Sequence, residues 1–162
     1  LPEVICNTSP LQYLHQLDLL DVLQALTDHI IVPPAVVHEL AVGRAQGVHL
    51  PDPTALRWVT VRQPVSTPVL PLVTDLGPGE TEVLALALES TDAVVILDDA
   101  LARQVAAALD IPFRGTLGVL LDAKRAGLVS TILPLLDQLQ ALRFRLSVRT
   151  REAILALAGE TP

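Results

Sequence analysis

The chain has no methionine, one cysteine, one tryptophan, one tyrosine and two phenylalanines in 162 residues. With so few rings, the core must be built of leucine, valine, isoleucine and alanine, and a base-stacking platform for nucleic acid is not expected. The lone Cys6 excludes an internal disulfide and suits a reducing compartment. Following Val4 and Ile5, it reads as a buried small hydrophobe. No apolar run approaches the length that spans a bilayer, and no charged start leads into an apolar signal core, so a cytoplasmic protein is expected. His15, His29, His38 and His49 have no close ligand spacing. Ser9 and Ser90 lack a nucleophile-elbow context. Gly77-Pro78-Gly79 has neither the spacing nor the preceding strand of a phosphate-binding or dinucleotide loop. Proline, with 13 residues, is not scarce, and Pro64, Pro68 and Pro71 make residues 62–76 a loop that cannot be a central strand.

Net charge is −7, against a generic nucleic-acid-binding surface. The charge is unevenly spread: residues 1–99 hold 13 acids and 3 bases, residues 100–162 hold 5 acids and 8 bases. An acidic first part and a basic last part can set a carboxylate pocket beside a phosphate-holding rim, although solvated helix faces explain single arginines equally well.

Short apolar runs at Glu3–Cys6, Ile30–Val32, residues 93–97 and, more weakly, Trp58–Val61 and Ile111–Arg114 read as strands. Helices are expected between and after them. One starts with Ser9 as N-cap and Pro10 in first position, with a break near Asp18. Others cover Ala35–Val42 (with Gly43 and Gly47 in the following loop), Glu80–Glu89, 100–109, Val119–Ala126 with Gly127 at its end, Thr131–Leu142 and Val148–Ala158. Strands alternating with helices indicate a three-layer αβα sandwich around a central, mainly parallel sheet, in one domain over 1–162.

Polar residues recur where these elements end. Asn7 follows the first strand, Glu39 lies in the second helical region, Glu80 opens a helix, and Asp98 and Asp99 follow the run Ala93–Leu97. Open α/β sheets do their chemistry at that edge. Adjacent carboxylates repel unless a cation, a proton or a donor offsets them. Oxygen ligands without cysteine or paired histidine favour Mg²⁺ or Mn²⁺ over Zn²⁺. Each acid also has an ordinary structural role available. Glu39 can be solvated, Glu80 and Glu82 can serve a helix N-terminus, one aspartate can cap the next helix, and Asn7 can close an Asx turn.

In order along the chain, Val4-Ile5-Cys6-Asn7-Thr8-Ser9-Pro10-Leu11, Val32-Pro33-Pro34-Ala35-Val36-Val37-His38-Glu39-Leu40, Gly79-Glu80-Thr81-Glu82 and Leu97-Asp98-Asp99-Ala100-Leu101-Ala102-Arg103 resemble the successive motifs of PIN-domain proteins. Gly115-Thr116-Leu117-Gly118 and Ala123-Lys124-Arg125-Ala126-Gly127 are similar to a prokaryotic branch. The resemblance is strongest over 3–130 and leaves 131–162 as a helical C-terminal extension. It implies an αβα fold and a Mg²⁺- or Mn²⁺-dependent endoribonuclease of the toxin type found in prokaryotic toxin–antitoxin pairs, with an antitoxin partner and a homodimer. Carried over by motif, the catalytic set is Asn7, Glu39, Glu80 and Asp99. These also form the metal set, with Asp98 as neighbour or cap, and Thr8 or Ser9 would support the first position. Arg103, Lys124 and Arg125 would hold RNA phosphates.

One departure bears on activity. Asn7 stands where the motif usually has aspartate, so a carbonyl oxygen replaces a charge. A catalytically weakened PIN-like binding protein is therefore the alternative expectation. A receiver-type phosphoacceptor is a weaker one, since the first strand lacks the acid it needs and no lysine follows a late strand.

Overall fold

The computed structural model describes residues 2–66 and 75–160. Part of the expected proline-rich loop at 62–76 lies outside them. Five strands, β1 (Glu3–Cys6), β2 (Ile30–Val32), β3 (Val59–Val61), β4 (Ala93–Ile96) and β5 (Phe113–Arg114), form one sheet in the order β3-β2-β1-β4-β5. Every neighbouring pair is parallel. Eight helices flank it among the described residues: α1 (Thr8–Gln16), α2 (Leu20–Thr27), α3 (Pro34–Ala45), α4 (Pro78–Glu89), α5 (Ala100–Ala108), α6 (Thr116–Arg125), α7 (Leu133–Ala141) and α8 (Val148–Leu157). The fold is the expected α/β sandwich with an all-parallel sheet. No helix of the described residues is long and apolar enough to cross a membrane.

The core follows from the composition. Ile5, Leu11, Leu14, Leu23, Ile30, Leu40, Leu84, Leu97 and Leu120 are fully buried, and no aromatic ring is among the buried residues. Aliphatic side chains bury well on the pleated faces of β1, β2 and β4, and each is worth about 1.5–3 kcal/mol on burial.

Local chemistry sets the boundaries. Asp18 takes a left-handed turn (φ 60°) that ends the first helical stretch where a break was expected. Gly127 (φ 75°) lies one residue past the C-cap of α6, where a Cβ would be strained. Three local expectations change. The N-cap of α1 is Asn7, so Ser9 and Pro10 fall inside its first turn. Helix α3 runs on through Gly43 to Ala45, because one glycine costs a helix only about 1 kcal/mol. Helix α6 begins at Thr116 and includes Gly118.

The strand order fixes the functional edge. β1 pairs with β2 on one side and β4 on the other, so the order in which strands are added to the sheet reverses between β1 and β4, and the crevice beyond their C-terminal ends is where ligands bind in such sheets. Cys6 is in register with Ile96, and the Asn7 amide donates to the Ile96 carbonyl at 2.9 Å. Asn7 and the Asp98–Asp99 pair therefore leave adjacent strands side by side.

Candidate functional site

At this edge the polar side chains form two groups. The first centres on Gly79, in the opening turn of α4. A Cβ there would lie 2.6 Å from both Glu39 carboxylate oxygens and 3.0 Å from Asn7 Oδ1. Glycine is what lets Asn7 from β1, Glu39 from α3 and the start of α4 converge. Asn7 is only 3% exposed, yet its Oδ1 has no hydrogen-bond partner among the described residues, and neither does the buried Glu39 Oε2. The buried Thr81 Oγ1, two residues further along α4, is in the same state. Buried acceptors are almost always satisfied, so oxygens without donors at a sheet's ligand edge call for a missing donor or cation.

The electrostatics agree. Burial pushes the Glu39 carboxyl above its ordinary range, and the charges of Glu80 and Glu82 add to this, while the Thr8 hydroxyl and the Gly79 amide pull it back down. Thr8 Oγ1 donates to Glu39 Oε1 at 3.2 Å. A carboxylate left short of positive charge in a partly buried pocket is a ready ligand for a hard cation.

The second group centres on Asp98. Thr116 donates to it twice, N–H to Oδ1 at 2.8 Å and hydroxyl to Oδ2 at 2.7 Å, and Ser9 Oγ donates to Oδ2 at 3.2 Å. Gly115 leaves room for this, since a Cβ there would sit 3.1 Å from Asp98 Oδ1. The Asp98 charge is felt nearby: with burial as the larger cause, it raises the Cys6 thiol and the Tyr13 phenol. Cys6 is fully buried and inert.

These contacts redistribute the expected roles. Asp99, expected to face the metal with Asp98 as the cap, is itself the N-cap of α5, and its Oδ2 accepts from the Ala102 amide at 2.9 Å. Asp98 is the carboxylate fixed at the sheet edge. The reason is geometric: Asp99, the third residue after the strand, directly precedes the helix, so its short side chain reaches the free amides of the first turn. Thr8 and Ser9 divide the supporting role, one to each group. Glu80 is folded back, its Oε2 lying 2.8 Å from where a Gly77 Cβ would be. Glu82 accepts from the Ala35 amide at 3.2 Å and so serves the start of α3 rather than its own helix.

The structure does not gather Glu39, Glu80 and an aspartate into one cage: among the described residues no three acidic, histidine or cysteine side chains are grouped to hold a metal. What it presents is a smaller donor set, the Glu39 carboxylate and the Asn7 carbonyl. Mg²⁺ commonly takes one or two carboxylates and completes its shell with water and substrate phosphate, so this set fits such an ion with reduced charge.

The expected phosphate contacts separate. Arg103 is exposed near Asp98, its guanidinium 5.2 Å from the centre of the Phe113 ring. Lys124 is instead paired with Glu160 at 2.8 Å, where Glu160 also accepts from the Ile132 and Leu133 amides and ties the chain end to α6 and α7. Arg125 is exposed at the C-terminal end of α6. Sequence reading missed Gly79 and Thr116, because neither carries a titratable group. The glycine before Glu80 and the threonine after Gly115 are the only signals they leave.

A family model described as a PIN domain matches residues 3–160, running through α7 and α8. No curated protein sequence matches the chain.

Proposed function

Because the chain belongs to the PIN-domain family, a family of nucleases, we propose that it is a metal-dependent endoribonuclease that cleaves single-stranded RNA, the toxin half of a prokaryotic toxin–antitoxin pair. The observation that carries the catalytic part is the pair of buried, unpartnered oxygens, Asn7 Oδ1 and Glu39 Oε2, meeting at Gly79 beside the sheet's switch point. In this reading Asn7 and Glu39 hold Mg²⁺ or Mn²⁺, with Asp98 at the end of the neighbouring strand. Such an ion offsets charge on the scissile phosphate and makes water a better nucleophile.

The chain's own residues do the positioning. Thr8 holds one Glu39 oxygen so that the other stays turned to the pocket. Ser9 and Thr116 hold the Asp98 carboxylate in one orientation, where it can order a water at the strand end. Arg103 stands exposed at the rim near Asp98, where it meets the RNA. The toxin role, an antitoxin partner and a homodimer rest on motif resemblance. The test is cleavage of end-labelled single-stranded RNA with Mg²⁺, Mn²⁺ or chelator, wild type beside Glu39→Gln. Metal-dependent cleavage lost in the variant supports the reading, and no cleavage by wild type across varied RNAs overturns it.

A second reading, a PIN-like binding protein with weakened catalysis, is favoured by one observation: Asn7 gives the pocket no charge of its own, and Glu39 alone does.

A further inference from the structure

An open cleft of about 530 Å³ runs from Asp98 and Gly115 along β5 and α6 to α8. Both phenylalanines of the chain, Phe113 and Phe144, line it. Tyr13 stands edge-on to Phe144 with ring centres 5.0 Å apart, so one of the two rings on the cleft is backed by a third. Composition alone argues against a stacking platform, but the fold brings Phe113 and Phe144, far apart in sequence, onto one cleft.

Three arginines border the same cleft, in a chain of net charge −7. They are not equivalent. Arg114 lies across Gly118 and is held by a two-point ion pair to Asp122, so its charge is already answered. Arg103 and Arg145 are exposed and make no ion pair among the described residues. The Arg103 guanidinium lies over the Phe113 ring, 5.2 Å from its centre, and guanidinium planes and aromatic faces are what unstacked bases pack against. A cleft with ring faces, free guanidinium groups and an end at a candidate catalytic carboxylate suits a ligand that is planar, anionic and extended.

We propose that this cleft holds a nucleotide of a single-stranded RNA next to the one being cut, its base against Phe144 and the Arg103–Phe113 plane and its phosphate on Arg145. The inference rests on the ribonuclease reading for where cutting occurs, and its test separates the two. Binding of a 5′-fluorescein oligoribonucleotide is followed by anisotropy in chelator, where no metal-dependent cleavage takes place. Arg145→Glu and Arg103→Gln, both at exposed positions, are each expected to weaken binding about tenfold and to flatten its salt dependence. Phe144→Leu is expected to weaken it about tenfold with the salt dependence unchanged. Arg57→Glu, an equal charge change on the exposed run before β3 at the far edge of the sheet, is expected to leave binding as in wild type. Wild-type affinity in Arg145→Glu and Arg103→Gln overturns the proposal and leaves the cleft to a protein partner. An equal loss in Arg57→Glu also overturns it, since attraction is then generic. If RNA binds through the cleft but is not cut with any metal, the ribonuclease reading fails and the binding site stands.

Discussion

Thr116 holds Asp98 with both of its donors, the backbone amide on one carboxylate oxygen at 2.8 Å and the hydroxyl on the other at 2.7 Å. One residue at the start of α6 thus fixes the orientation of a carboxylate at the end of β4. Thr116 is fully buried, so water cannot take over this work.

Replacing Thr116 by valine keeps the shape and the amide bond but removes the hydroxyl. A hydrogen bond to a charged group is worth about 1.5–3 kcal/mol, and stability is expected to fall by about that much. Urea unfolding midpoints at neutral pH check it. RNA cleavage in the same variant is expected to fall as well, because Asp98 gains freedom to turn.

Gly79→Ala is expected to separate folding from function. In a helix alanine is favoured over glycine by about 1 kcal/mol, and the atoms its Cβ meets include the mobile end of Glu39. Stability is expected to stay within about 1 kcal/mol of wild type by thermal unfolding, whereas Glu39 is pushed from Asn7 and cleavage falls at least about tenfold for a misplaced ligand.

The Lys124–Glu160 pair makes an acid-range prediction. Burial raises the Glu160 carboxyl, but Lys124 and the Ile132 and Leu133 amides outweigh this, so it lies below its ordinary value of 4.5. A carboxyl depressed on folding contributes stability that is present above 4.5 and is lost as pH falls through the lower, folded value. Glu160→Gln is expected to be less stable than wild type at pH 7, with the difference shrinking below pH 4.5. Unfolding midpoints from pH 7 to 3 report it, and a constant difference would remove Glu160 as the cause.

Strands β1, β2 and β4 were legible because a buried parallel strand is a short apolar run, and the motif order placed Asn7, Glu39, Glu80 and the two aspartates near one edge. Long-range partners were not legible. Ser9 reads as a helix cap until Asp98, 89 residues later, claims its hydroxyl. Which of two adjacent aspartates caps α5 depends on where the strand stops, a boundary that pattern does not resolve to one residue. Lys124 reads as a free cation until Glu160 folds back to it. The placing of Phe113 and Phe144 on one cleft has no local signal at all, because it is made by the way the elements pack.

On the proposed reading, Asn7 and Glu39 together take a divalent cation. Calorimetric titration of Mn²⁺ into wild type, Glu39→Gln and Asn7→Asp tests it most directly. A single site is expected in wild type, no binding heat in Glu39→Gln, and tighter binding in Asn7→Asp, where a second carboxylate faces the same oxygens. Equal binding by wild type and Glu39→Gln, or none in Asn7→Asp, would contradict it.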